Sequence, residues 1–76
     1  MRENIVERVK EMFDIDRLLV RSILSPREIK VIRLRCGLEN GRIYTSKEIG
    51  IEFKITPIEV RGITYRALDK LLSFSI

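Results

Sequence analysis

The chain has 76 residues, of which 15 are Lys or Arg, 11 are Asp or Glu and none is His, so its net charge is +4. A chain of this length builds one small hydrophobic core, and we expect a single domain spanning residues 1–76. A single Cys excludes an intrachain disulfide, and the lack of His excludes Ser-His-Asp and Cys-His catalytic sites, so we predict no enzyme activity, metal site or cofactor.

The amino-terminal segment, residues 1–23, predicts one or two helices. Its apolar residues recur at helical spacing, and they are Ile5, Val6, Val9, Met12, Phe13, Leu18, Leu19 and Ile23. A break is expected at residues 14–16, because Asp16 can cap the start of a second helix. No run approaches the roughly 20 apolar residues that cross a bilayer, so we predict no membrane segment.

Residues 17–36 hold most of the basic excess. Six Arg or Lys residues stand against Glu28 alone, which gives this segment a charge of +5. A cluster of this kind suits the phosphate backbone of a nucleic acid, whereas a solvated helix face is the alternative interpretation.

Three predicted helices begin with the same capping chemistry. Ser25, Thr45 and Thr56 are each followed by Glu at the third position, and Pro follows the first and the last of them. In such a capping box the hydroxyl accepts from a backbone N–H, and the Glu carboxylate accepts from the N–H of the cap residue. Apolar residues at helical spacing follow each box, and no stretch alternates as a strand would. The sequence therefore predicts a small all-α fold of about five helices.

The last two predicted helices, at about 46–53 and 57–72, are joined by three residues, which is the length of a helix-turn-helix connection. Gly50 is the small residue needed where the two helices meet, and Ile55 is the apolar residue that fills the turn. We predict a helix-turn-helix over residues 45–72 with its second helix in the DNA major groove, and a plain helical hairpin is the alternative. The side chains expected to face DNA on that helix are Pro57, Ile58, Arg61, Gly62, Tyr65 and Arg66.

Two stretches of the chain resemble the fourth conserved region of sigma-70 family transcription factors. Residues 24–38 read LSPREIKVIRLRCGL, and residues 41–53 read GRIYTSKEIGIEF. The resemblance extends over residues 24–72 without a gap. It implies a module that reads the minus-35 promoter element and holds the flap-tip helix of the RNA polymerase β subunit in a hydrophobic groove. It also implies a cytoplasmic protein encoded by a bacterium or a phage.

The resemblance carries over to individual positions. It implies DNA contacts at Arg33, Arg35, Thr45, Lys47, Arg61 and Arg66. Thr45 and Lys47 stand at the start of the first helix of the motif, where backbone N–H groups can meet a phosphate. The residues expected in the flap groove are Leu18, Leu19, Ile29, Ile32 and Leu38, and ordinary core packing is the alternative for each of them.

The recognition helix departs from the family pattern TRERIRQIE. Pro57, Ile58 and Gly62 stand where that pattern has Arg, Glu and Gln, whose side chains can hydrogen-bond to base edges. Each bidentate contact contributes about 1–3 kcal/mol of base discrimination, so the usual minus-35 specificity is expected to be lost.

Two alternatives follow from this departure. The chain is either a regulator that uses the fold for contact with polymerase or a sigma factor, or an autonomous operator-binding repressor or activator. The second alternative includes a homodimer formed through the last helix or the apolar tail, residues 71–76. Since no domain for opening the minus-10 element accompanies the motif, we expect either part of a longer factor or a free-standing protein.

Overall fold

The structure is a computed structural model in which residues 5–73 are described. These residues form five α-helices and no strand, which confirms the predicted fold class. The helices are α1 (Ile5–Ile15), α2 (Arg17–Ile23), α3 (Pro26–Arg35), α4 (Ser46–Phe53) and α5 (Pro57–Ser73). Within residues 5–73, no helix is long and apolar enough to cross a membrane. The end of the apolar tail that suggested a homodimer, residues 74–76, lies outside the described residues.

The helix boundaries are set by side-chain caps, as the sequence predicts. Asp16 separates α1 from α2, and its carboxylate accepts a hydrogen bond of 3.4 Å from the Leu19 N–H. Residues 5–23 therefore form two helices rather than one. At the start of α3, Glu28 N–H donates to Ser25 Oγ over 3.2 Å, and Ser25 N–H donates to Glu28 Oε1 over 2.9 Å. The same reciprocal pairs are present at the starts of α4 and α5.

Two buried clusters form the core, and α3 and α5 contribute to both. The first joins α1, α2, α3 and α5 through Val9, Phe13, Val20, Leu24, Ile32, Ala67 and Leu71. The second joins α3, α4 and α5 through Val31, Leu34, Ile49, Val60 and Ile63. Lys70 Nζ also donates to Glu28 Oε2 over 2.9 Å, which ties the carboxyl-terminal half of α5 to the start of α3. Packing and this ion pair therefore fix the position of α4 and α5 relative to the rest of the domain.

The loop of residues 36–45 is fastened to α3 before it leads into α4. Lys30 Nζ and Arg33 Nε donate to the two carboxylate oxygens of Glu39 over 3.0 and 2.8 Å. Arg35 Nη1 donates to the Tyr44 carbonyl over 2.8 Å, and the Tyr44 N–H donates to the Leu34 carbonyl over 2.9 Å. These bonds fix the point at which α4 begins.

Candidate nucleic-acid interface

The close approach of α4 to the turn depends on Gly50. A Cβ atom at this position would lie 2.6 Å from the Ile55 carbonyl oxygen, a distance that no side chain can occupy without a backbone shift. The Ile55 N–H donates to the Gly50 carbonyl over 2.9 Å, and the Ile55 side chain packs against the second core cluster. The roles predicted for Gly50 and Ile55 in the helix-turn-helix are therefore confirmed.

The turn passes through a left-handed residue that is not glycine. Lys54 has φ 59° and ψ 44°, and its N–H reaches the carbonyls of Gly50 and Ile51 at the end of α4. A side chain in this conformation costs about 1–2 kcal/mol, because Cβ crowds the following carbonyl oxygen. The turn therefore carries a strained left-handed residue whose side chain is a cation.

The exposed face of α5 carries the side chains that the sequence assigned to DNA contact. Ile58 is 74% exposed and Tyr65 is 69% exposed, while Arg61 and Arg66 are also exposed. Ile58, Arg61 and Tyr65 share one side of the helix, because Arg61 and Tyr65 follow Ile58 by three and seven positions. Pro57 and Gly62 are half-buried. The structure therefore exposes four of the six predicted α5 residues fully and leaves Pro57 and Gly62 partly accessible.

Gly62 makes room for an arginine of the same helix. A Cβ at this position would lie 3.4 Å from Nη1 of Arg66, whose guanidinium thus folds back across the glycine. A glycine inside a helix costs about 1 kcal/mol relative to alanine. The Arg66 guanidinium occupies the space over Gly62 and lies along the exposed surface of α5.

The start of α4 offers one exposed basic side chain, Lys47. Thr45 is engaged in its own cap, since its hydroxyl accepts from the Glu48 N–H and its N–H donates to Glu48 Oε1. Glu48 also pairs with Arg42, whose guanidinium lies 4.4 Å from the centre of the Tyr44 ring. The Thr45 N–H, followed by the Arg42 charge, lowers the pKa of Glu48 and keeps this carboxylate charged.

Arg33 and Arg35 have structural partners that were not predicted from the sequence. Arg33 binds Glu39 and Arg35 binds the Tyr44 carbonyl, so both hold the 36–45 loop against α3. The signal for the first bond was present in the sequence, because Glu39 is the first acid after a run of three basic residues. DNA contact by Arg33 and Arg35 remains a prediction.

A surface groove of about 670 Å³ lies between α1, α2, α3 and the start of the loop. Its lining includes four apolar side chains, Phe13, Val20, Ile29 and Leu38. Its lining also includes four basic side chains, Lys10, Arg17, Arg21 and Arg33, and one acid, Asp14. Such an apolar floor with a basic rim suits a partner segment that is apolar on one side and acidic beside it.

The five residues predicted for the flap groove divide into three groups. Ile29 and Leu38 line the groove. Ile32 is fully buried in the first core cluster and presents no surface to a partner, so it is a core residue, as the alternative interpretation predicted. Leu18 is 80% exposed and Leu19 is half-buried, and both lie outside the lining. The basic rim was not predicted from the sequence, because its residues are spread over three helices.

Comparison with known proteins gives one family. The family model for Sigma-70, region 4 matches residues 20–72. The RNA polymerase sigma factor SigA of Clostridium acetobutylicum is 48% identical over 54 residues, which are 71% of this chain and 14% of that protein. SigA1 of Synechococcus elongatus is 52% identical over 52 residues, 68% of this chain and 13% of that protein. RpoD of Neisseria gonorrhoeae is 42% identical over 48 residues, 63% of this chain and 8% of that protein.

The chain spans about a seventh of the length of the first of these relatives. No solved structure matches it significantly. The matched residues include all of α3 and α4 and all of α5 except Ser73, and therefore both the helix-turn-helix and part of the groove.

Proposed function

The chain belongs to the sigma-70 region 4 family, and on this basis we propose that it is a transcription-factor module that binds promoter DNA through α4 and α5. One observation carries the proposal: the close packing of Gly50 on the turn holds α4 and α5 as a helix-turn-helix, with Ile58, Arg61 and Tyr65 on one exposed face. In that motif the amino-terminal part of the second helix faces base edges in the major groove.

The charges on this surface favour a polyanion. Arg61 and Arg66 lie along α5, and Lys47 is exposed on the first turn of α4. The acid next to Ile58 in the sequence is Glu59, whose carboxylate is bound in the α5 cap by the N–H and hydroxyl of Thr56. The amino-terminal end of α5 adds the partial positive charge of the helix dipole. We expect duplex binding to weaken steeply with salt, because bound Lys and Arg release counterions from the phosphates.

Two double variants of equal net charge test this proposal. R61A/R66A removes two cations from α5, and R17A/R21A removes two from the groove rim, so each leaves the chain at 4 − 2 = +2. Fluorescence anisotropy with a labelled promoter duplex gives the association constant over a range of salt. For R61A/R66A we expect the slope of log K against log salt to become shallower by about 1.8. The slope of R17A/R21A should stay that of the wild type.

Absence of duplex binding at low salt would refute the proposal. An equal change of slope in the two variants would show that net charge, rather than the α5 surface, determines binding.

We propose further that the groove holds an apolar segment of RNA polymerase, which the resemblance identifies as the β flap tip. The apolar floor around Ile29 and Leu38 and the basic rim around Arg17 and Arg21 support this assignment. In a pull-down with the isolated β flap domain, R17A/R21A should lose binding and R61A/R66A should retain it. The reverse pattern would exclude the groove as the polymerase site.

The alternative of a regulator that contacts protein only rests on a specific feature of α5, the apolar Ile58 and Gly62 in place of residues able to bind base edges. It predicts that R61A/R66A abolishes DNA binding while the effect on transcription by the polymerase is unchanged. A homodimer is not proposed, since residues 74–76 of the tail that suggested it lie outside the described residues and the matched relatives give no support for one.

A further inference from the structure

Ile58 exposes a large apolar side chain to solvent at the start of α5. It is 74% exposed and occupies the first turn of the helix that we propose to enter the major groove. Ile51 on α4 is equally exposed, at 72%, yet it lines a different groove together with Leu34, Tyr44 and Glu52. The chain therefore offers two exposed isoleucines on the helix-turn-helix that face different surroundings.

The polar side chains around Ile58 are already engaged. Thr56 Oγ1 accepts from the Glu59 N–H over 3.1 Å, and Glu59 Oε1 accepts from the Thr56 N–H over 2.9 Å. The Thr56 hydroxyl also donates to Glu59 Oε1 over 3.2 Å. Pro57 adds no polar side-chain atom. The first turn of α5 thus presents an apolar surface, and the capping box uses the hydrogen-bonding groups that could otherwise reach a base.

An aliphatic side chain in the major groove can distinguish one base by contact. Thymine is the base that presents a methyl group there, whereas the edges of adenine, guanine and cytosine present donors and acceptors. Placing Ile58 against those polar edges would desolvate them without giving a hydrogen bond in return. We propose that Ile58 is a specificity-determining residue that recognises the 5-methyl group of a thymine, an inference that rests on the proposed DNA binding by α4 and α5.

The position of Arg61 limits where that thymine lies. Arg61 follows Ile58 by three residues on the same face, an advance of about 4.5 Å along the helix. Base pairs are stacked about 3.4 Å apart, so with α5 lying along the groove the two side chains reach positions about one base-pair step apart. In that orientation a thymine read by Ile58 lies next to the position reached by Arg61.

The test begins with selection of bound sequences from a random duplex library by the 76-residue chain. Each thymine of the selected site is then replaced, one at a time, by deoxyuridine, which lacks the 5-methyl group and keeps the hydrogen-bonding pattern. We expect one position at which deoxyuridine weakens binding by about fourfold, the effect of one buried methyl-sized group. Ile58→Ala should weaken binding to the thymine duplex by at least as much and should bind the thymine and deoxyuridine duplexes equally.

The matched control is Ile51→Ala, which removes the same atoms from an equally exposed isoleucine and should keep the full thymine preference. Because both residues are exposed, both variants should retain the wild-type circular dichroism spectrum. If all deoxyuridine duplexes bind the wild type as well as the thymine duplex does, the inference is overturned while DNA binding by the helix-turn-helix stands. It is also overturned if Ile58→Ala keeps the preference or if Ile51→Ala loses it. If no duplex binds at low salt, the inference and the proposed function fail together.

Discussion

Replacing Gly50 with alanine should destabilise the domain by about 2 kcal/mol. The new Cβ would lie 2.6 Å from the Ile55 carbonyl oxygen, and side chains essentially never approach closer than 3.0 Å. The opposing atom belongs to the backbone, so α4 must move away from the turn, and overpacking of this kind costs about 3 kcal/mol. The gain in helix propensity returns about 1 kcal/mol. For a domain of this size the melting temperature should fall by about 8–16 °C.

The same substitution at Gly62 supplies the control, because its surroundings are opposite in kind. A Cβ there meets only the mobile end of the Arg66 side chain, at 3.4 Å, so the propensity gain of about 1 kcal/mol should dominate and raise the melting temperature. Thermal and urea unfolding followed by far-ultraviolet circular dichroism measure both variants. A Gly50→Ala protein as stable as the wild type would refute the assignment of Gly50 to the contact between α4 and the turn.

Three further changes test other parts of the structure by urea unfolding. Lys54→Gly should stabilise the fold by about 0.5–1 kcal/mol by removing the left-handed strain, and Lys54→Ala should not. Bonds from Thr45 and Thr56 lower the pKa of Glu48 and Glu59 below the ordinary 4.5, so their stabilisation should be complete above pH 4.5 and lost as pH falls through the lower folded-state values. Glu-to-Gln variants at both positions should flatten that fall. Arg35→Ala should cost about 1.5–3 kcal/mol by leaving the Tyr44 carbonyl without its donor, whereas Arg33→Ala, which breaks an exposed ion pair, should cost less than about 1 kcal/mol.

The helices and their starts could be predicted because the signals are local. Each capping box links a hydroxyl to a Glu three residues later, and the structure shows all three boxes closed at Ser25, Thr45 and Thr56. The contact of Gly50 with the turn could also be predicted, because the connection is too short to admit a side chain there. Such signals depend on neighbours within a few residues, which one sequence displays directly.

The partners of charged side chains could not be predicted, because they depend on how the helices pack. Lys70 and Glu28 are 42 positions apart, and they meet only because α3 and α5 cross. The groove rim combines Lys10 of α1 with Arg17 and Arg21 of α2, and no periodicity of the sequence joins those residues to Leu38. The conformation of Lys54 could not be predicted either, because lysine rarely adopts a positive φ and the turn geometry overrides its preference.

The basic residues of segment 17–36 have different structural roles. Lys30 and Arg33 share Glu39, and Arg35 holds the Tyr44 carbonyl, so three of its six cations fasten the loop that positions α4. Arg17 and Arg21 line the groove, and Arg27 lies 5.9 Å from the centre of the Phe53 ring. A local charge of +5 is therefore poor evidence for a phosphate-binding strip along α3.

The cations that we propose to attract DNA are therefore the exposed ones of α4 and α5 other than Lys70, which pairs with Glu28, namely Lys47, Arg61 and Arg66. They belong to different helices from the rim residues Arg17 and Arg21. Because the two sets share no residue, removing one leaves the charges of the other in place. That separation allows the proposed affinities for duplex DNA and for the polymerase flap to be measured independently on one 76-residue chain.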